Sequence, residues 1–268
     1  MRAAATAKAW RRTLARLSAW AVCALLAACA TGIRQTHPEA GAEPVVTMQN
    51  PLLTPRNGGQ LANIASLQPG DIILSSGKSL SSVGVRLFTT APVSHASLYV
   101  GEGEIIEAVG TGIRRRDLAE ALTEDDVAVA FRHPALVPEQ AQRIRDFAAA
   151  QLGKKYNHLG IVLHAPFAIE RRLCELPGIP SLVRNFCLRR VAMIQLGAVS
   201  NESFFCSQFV LEAYRVAGLP ITDADPRWIS PADILHMREG DVSSVRVNQP
   251  LAYIGHLKFR DELALNTP

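Results

Sequence analysis

Phe204-Phe205-Cys206-Ser207-Gln208-Phe209-Val210-Leu211-Glu212-Ala213-Tyr214 sets one thiol at the mouth of an apolar helix that runs to Gly218-Leu219-Pro220. Ser203 is a good capping residue, which predicts Cys206 at about the third helical position. Far upstream, Val93-Ser94-His95-Ala96-Ser97-Leu98-Tyr99-Val100 reads as a strand with a lone histidine. A thiol attacks as its thiolate, and both the positive end of a helix and a nearby imidazolium lower its pKa. First-turn amides, including that of Cys206, also point toward an oxyanion forming on an attacked carbonyl. The two halves of a thiolate catalyst are therefore present, in the order His then Cys. Taken singly, a cysteine in an apolar helix is most often a packing residue. The joint arrangement is what points to chemistry.

An imidazole in that role needs a third polar group to orient it. Val93 to Val100 and Glu104 to Val109 form a predicted β-hairpin around Gly101-Glu102-Gly103. With Val100 opposite Glu104, Ser97 faces Glu107 and His95 faces Val109. On that register His95, Ser97, Ile105 and Glu107 share a face, and Glu107 is a diagonal neighbour of His95. A slip of one residue would separate them. The expected fold class is α+β, with an antiparallel sheet bearing His95 and Glu107 packed against the helix that starts around Cys206.

The N-terminus is a segment of a different kind. Arg2, Lys8, Arg11, Arg12 and Arg16 precede an apolar run from Leu17 to Ala28, which reads as a secretory signal. Leu26-Ala27-Ala28-Cys29 resembles the bacterial lipobox, so Cys29 is expected to become the lipidated first residue of the mature chain. Ala30 in place of Asp then implies sorting to the outer membrane, facing the periplasm. Without the five basic residues of the signal, 23 of the 28 remain against 24 acidic ones. That balance gives a nucleic-acid partner no electrostatic support.

Three regions are expected: a signal over 1–28, a flexible tether over 29–62 rich in Pro, Gly, Thr, Asn and Gln, and one domain over 63–268. Within the domain, Ile72-Ile73-Leu74 opens a strand, Lys78 to Thr89 fits a short helix, and Val127 to Phe131 is a further strand. Pro138 to Leu152 is a helix closed by Gly153. Residues 160–200 form a mostly apolar insertion, helical in pieces, and Leu251 to Ile254 is the last strand. Of the mature cysteines, Cys174 and Cys187 either pair, leaving Cys206 the free thiol, or are two separate buried thiols. His158 and His164 follow no common zinc spacing, so no metal and no cofactor is expected.

Gly70-Asp71-Ile72-Ile73-Leu74, Ser94-His95-Ala96-Ser97-Leu98-Tyr99, Glu107-Ala108, Leu152-Gly153-Lys154-Lys155-Tyr156 and Cys206-Ser207-Gln208-Phe209-Val210 together resemble the successive motifs of circularly permuted NlpC-type papain-like hydrolases. The resemblance is to the YiiX/YaeF-like branch and spans about residues 67 to 235. It implies Cys206 as nucleophile, His95 as general base, Glu107 as third polar residue, and Tyr156 near substrate or oxyanion. Peptidoglycan endopeptidases of the unpermuted family carry a tyrosine and then an aspartate just before the nucleophile. Here those positions are Phe204 and Phe205, which lack the polar contacts suited to a charged peptide stem and make an apolar setting that suits an acyl chain, with Phe205 beside substrate or oxyanion.

The expected function is a cell-envelope thiol hydrolase that cleaves an amide or ester of cell-wall peptides through an acyl-enzyme. The alternatives are a lipid amidase, thioesterase or acyltransferase resembling lecithin retinol acyltransferase, and a non-catalytic binding module. Expected partners are a peptide or acyl-lipid substrate and the membrane that holds the lipid anchor.

Overall fold

The computed structural model describes residues 31–34, 45–50, 52–54, 58–77, 92–154, 183 and 205–259. Two short strands, β1 (Thr31–Arg34) and β2 (Val45–Met48), pair antiparallel with Thr31 opposite Met48. The main sheet contains β3 (Ile72–Gly77), β4 (His95–Gly101), β5 (Glu104–Val109), β6 (Gly112–Asp117), β7 (Asp125–Arg132) and β8 (Ala252–Lys258). Every pairing is antiparallel, in the order β6-β5-β4-β3-β7-β8. Among the described residues four α-helices accompany it: α1 (Leu118–Glu124), α2 (Pro138–Ala150), α3 (Cys206–Val216) and α4 (Pro231–Leu235). The fold is α+β.

Both faces of the sheet are covered, which explains why β3 and β4 are buried at almost every position rather than at alternate ones. On one face Ile72, Leu74, Ala96, Leu98, Ile106 and Phe131 pack against Phe209, Val210, Ala213 and Tyr214 of α3. On the other, Ile73, Tyr99, Ile105 and Ala130 meet Leu118 and Ala121 of α1. Sequence patterning does not reveal β6 and α1. Arg114-Arg115-Arg116 reads as a solvated run, yet it lies on an edge strand, where charge discourages further pairing. Acidic partners stand across it: Arg115 reaches Glu104 at 2.7 Å and Arg116 reaches Glu124 at 3.1 Å.

Helix α3 is held at both ends. At its C-terminus the Leu219 N–H returns to the Tyr214 carbonyl and the Gly218 N–H to that of Arg215, with Gly218 at φ +76°. These bonds satisfy carbonyls that a helix end leaves unpaired. Arg143 of α2 adds two bonds to the Ala217 carbonyl, at 3.0 and 3.2 Å. In the last turn, the Tyr214 hydroxyl donates to the Gly70 carbonyl at 2.6 Å, fixing α3 against the turn that enters β3. Asp71, fully buried in that turn, accepts from Arg132 through both oxygens, at 2.7 and 2.6 Å.

The segment read as a tether does not behave as one where it is described. Beyond the β1–β2 ladder, the Asn50 N–H donates to Asp241, and Arg238 donates to the carbonyls of Asn50, Leu52 and Leu53. Gln60 and Ala62 bond the backbone of His256 on β8. Composition suggested a free coil because these bonds use backbone groups, which leave no side-chain pattern. The expected helix over 78–89, the insertion at 160–200, and Cys29, Tyr156, His158, His164, Cys174 and Cys187 lie outside the described residues.

Replacing Tyr214 with Phe removes a buried hydroxyl and orphans the Gly70 carbonyl, a loss of about 1–3 kcal/mol. The expected result is a lower urea midpoint with an unchanged slope. An unchanged midpoint would show that the bond contributes nothing to holding α3.

Candidate active site

The hairpin sets the site. Ser97 lies opposite Glu107, Leu98 opposite Ile106 and Tyr99 opposite Ile105, as the sequence predicts. At the turn the ladder shifts by one, so Gly101 rather than Val100 faces Glu104. Gly101, Glu102 and Gly103 take φ values of +99°, +55° and +77°, a left-handed run that glycine tolerates best.

Toward the other end, the expected His95–Val109 pairing does not form, and the β4–β5 ladder stops at Ser97. In a continued ladder the Ala96 amide would face β5. It instead donates to the Cys206 sulfur. The thiol occupies the opening left where the two strands part. The strand parity puts His95 and Glu107 on the face opposite α3, and this opening lets Cys206 meet His95.

Cys206 is the first residue of α3, not the third, with Phe205 in an extended capping conformation at φ −85°, ψ 161°. Gln208 Oε1 accepts from the Phe205 N–H at 3.4 Å, and Phe205 is buried. A capping hydroxyl at Ser203 would be worth about 1 kcal/mol. Burying a phenylalanine is worth roughly 1.5–3 kcal/mol, so the later start prevails. The shift moves the sulfur closer to the positive end of the helix.

Three side chains form a continuous chain of hydrogen bonds. The Cys206 thiol bonds the His95 ring. His95 Nε2 lies 2.7 Å from Glu107 Oε2, with side chains 24% and 5% exposed respectively. With Nε2 committed to the carboxylate, Nδ1 is the nitrogen available to exchange a proton with sulfur. The other oxygen of Glu107 accepts from Arg114 Nε at 2.9 Å and Nη2 at 2.8 Å. Arg114 is the cross-strand partner of Glu107 on β6.

The electrostatics follow from these contacts. Burial works against ionising Glu107, but the hydrogen bonds and charges of His95 and Arg114 outweigh it and bring the carboxyl to about 2. Burial likewise opposes charge on His95, yet its bonds to Cys206 and Glu107 raise it well above its ordinary value. Burial also opposes the Cys206 thiolate. The hydrogen bond and charge of His95, with the Ala96 and Ser207 amides, overcome this and lower the thiol. All three shifts favour a thiolate–imidazolium pair backed by a carboxylate.

The structure therefore brings Cys206, His95 and Glu107 together. Phe205 closes the start of the helix beside them. Tyr156 is not described, but the chain leading to it is fastened to β6 by the Ile113 N–H on the Lys154 carbonyl at 2.9 Å. Sequence reasoning missed two members of the surroundings. Arg114 was legible in principle, since Gly112-Ile113-Arg114 follows Glu107 after a tight turn and returns the arginine to the same face. Asp125, bonded to Ser75 and electrostatically coupled to His95, depends on a β3–β7 pairing that local pattern cannot supply. Among the described residues no group of three His, Cys, Asp or Glu side chains is placed to hold a metal ion.

No family model matches the chain. Its sequence is 37% identical over 243 residues to the probable lipoprotein peptidase YaeF of Escherichia coli (strain K12), covering 87% of this chain and 89% of that protein. The crystal structure of metalloprotein yiiX from Escherichia coli O157:H7 aligns over 70% of this chain and 96% of that one, with 19% identity and a TM-score of 0.42. That structural overlap is too low to fix the fold in detail. The sequence relationship, extending over nearly the whole of both chains, is the stronger, and by it this chain belongs to the YaeF family.

Proposed function

We propose that this chain is a cysteine hydrolase of the bacterial cell envelope, built on a circularly permuted papain-like core, that cleaves amides of cell-wall peptides. The observation that carries this reading is the hydrogen-bonded chain Cys206–His95–Glu107 with the thiol at the start of α3. The name of the Escherichia coli relative, a probable lipoprotein peptidase, supports both the peptidase class and the lipid anchor. In this reading residues 1–28 direct export, Cys29 carries the lipid, and the domain faces the periplasm from the outer membrane.

The reaction runs in two halves. The Cys206 thiolate forms a bond to the carbonyl carbon, and the oxyanion lies toward the amide of Cys206, which the first turn of α3 leaves without a helical partner. The His95 imidazolium gives its proton to the departing amine as the C–N bond breaks, leaving a thioester. Neutral His95 then takes a proton from water, whose oxygen attacks the thioester and releases the acid and the thiolate. Glu107 is a positioning residue: it fixes the ring and favours its charged form, and Arg114 holds Glu107 in turn.

Incubating the lipidated protein with muropeptides and with acyl-lipid and acyl-ester panels tests the substrate. Cleaved muropeptide, absent with Cys206→Ala, is the expected result. Product from lipids alone would replace the peptide reading with a lipid amidase or acyltransferase. Equal turnover by Cys206→Ala would overturn the thiol mechanism, and no product from any substrate would leave only the non-catalytic module. His95→Ala should lower kcat/KM by about 10²–10⁴-fold, the usual worth of a positioned acid–base group.

The pH profile should be a bell, rising as the thiolate forms and falling as the imidazolium is lost. Glu107 raises His95, so Glu107→Gln should move the alkaline limb to lower pH. An alkaline limb that stays in place would contradict the role given to Glu107.

A further inference from the structure

The chain between Cys29 and the domain is short-circuited. Because Thr31 pairs with Met48, the residues that follow Cys29 are brought within one strand spacing, about 5 Å, of the end of β2. Two residues later the chain is locked to the domain. Arg238, almost fully buried, donates to the carbonyls of Asn50, Leu52 and Leu53 at 3.1, 2.5 and 2.6 Å. It also donates to Asp241, whose carboxylate accepts the Asn50 N–H at 2.7 Å.

Lengths show how much this matters. Two residues from Cys29 to Thr31, one strand spacing and two residues from Met48 to Asn50 span at most roughly 20 Å. A free coil over 29–62 would average roughly 30 Å and could extend to about 110 Å. The domain is thus confined close to whatever surface Cys29 is fixed in.

The same stretch exposes apolar side chains. Met48 is 50% exposed, Leu52 63% and Leu61 72%. The stretches carrying Leu52 and Leu61 lie side by side: a Cβ on Gly59 would meet Thr54 Cγ2 at 2.5 Å and the Tyr253 hydroxyl at 3.2 Å. Exposed leucines scattered singly are ordinary. Here two stretches that carry exposed leucines adjoin just beyond β2, where an apolar surface fits a lipid boundary.

We propose that the face formed by residues 48–50, 52–54 and 59–61 beside β8 rests on the bilayer that holds the acyl chains of Cys29. The site on β4 and β5, three and four strands along the sheet from β8, is then held roughly 15–20 Å from that surface, within reach of substrate attached to the same membrane. This rests on the reading of Cys29 as lipidated.

Full-length lipidated protein in liposomes of phosphatidylethanolamine and brominated phosphatidylcholine tests it, with Leu52→Trp, Leu61→Trp and, as a remote control, Val216→Trp. Emission above that of the parent protein should fall by roughly half or more at positions 52 and 61, since such faces sit about 5–10 Å into the boundary. The control should keep its emission. Protein that floats with the liposomes but shows equal quenching at all three positions, or none, overturns the surface and leaves the anchor standing. Protein that fails to float overturns both.

Discussion

The site depends on the sulfur of Cys206 taking the place of a strand. Where β4 and β5 part above Ser97, the Ala96 amide has no ladder partner, and a buried unpaired amide costs about 1–3 kcal/mol. The sulfur accepts that bond, and does so better as an anion. One opening in the sheet thus satisfies the backbone, places the thiol and favours its ionised form. It also lets a helix packed on one face of the sheet reach a histidine that projects from the other.

Behind this contact lies a relay of alternating charge: thiolate, imidazolium, carboxylate, guanidinium. Each member is set on its own element, from α3 through β4 and β5 to β6. The order matters because Glu107 is nearly buried, and a buried carboxylate without partners would take up a proton. With Arg114 on one oxygen and His95 on the other it stays ionised far into the acid range. Edge strand β6, polar on its outer face, supplies the arginine that the buried centre of the sheet has no room to carry.

Most of this was legible in the sequence where the signal was local. The alternation in Ser94-His95-Ala96-Ser97 and Ile105-Ile106-Glu107, joined by a glycine-flanked turn, was enough to put His95 and Glu107 on one face. Pro138 and Gly153 likewise bracketed α2. What escaped depended on long-range pairing or on backbone groups. The β3–β7 pairing that brings Asp125 near His95 joins segments about fifty residues apart. The later start of α3 reflects burial of Phe205, which outweighs the cap that Ser203 offers. The fastening of residues 49–62 runs through carbonyls and amides that carry no residue code.

The account turns on whether Cys206 and His95 share charge as an ion pair in the folded protein. Ultraviolet thiolate absorbance of Cys206, followed against pH in the parent protein and in His95→Ala, tests this directly, with Cys206→Ser subtracting the other thiols. The account predicts thiolate present well below the ordinary range of a free cysteine, and its loss until alkaline pH once His95 is replaced. A thiol that titrates in the ordinary range in both proteins would contradict it.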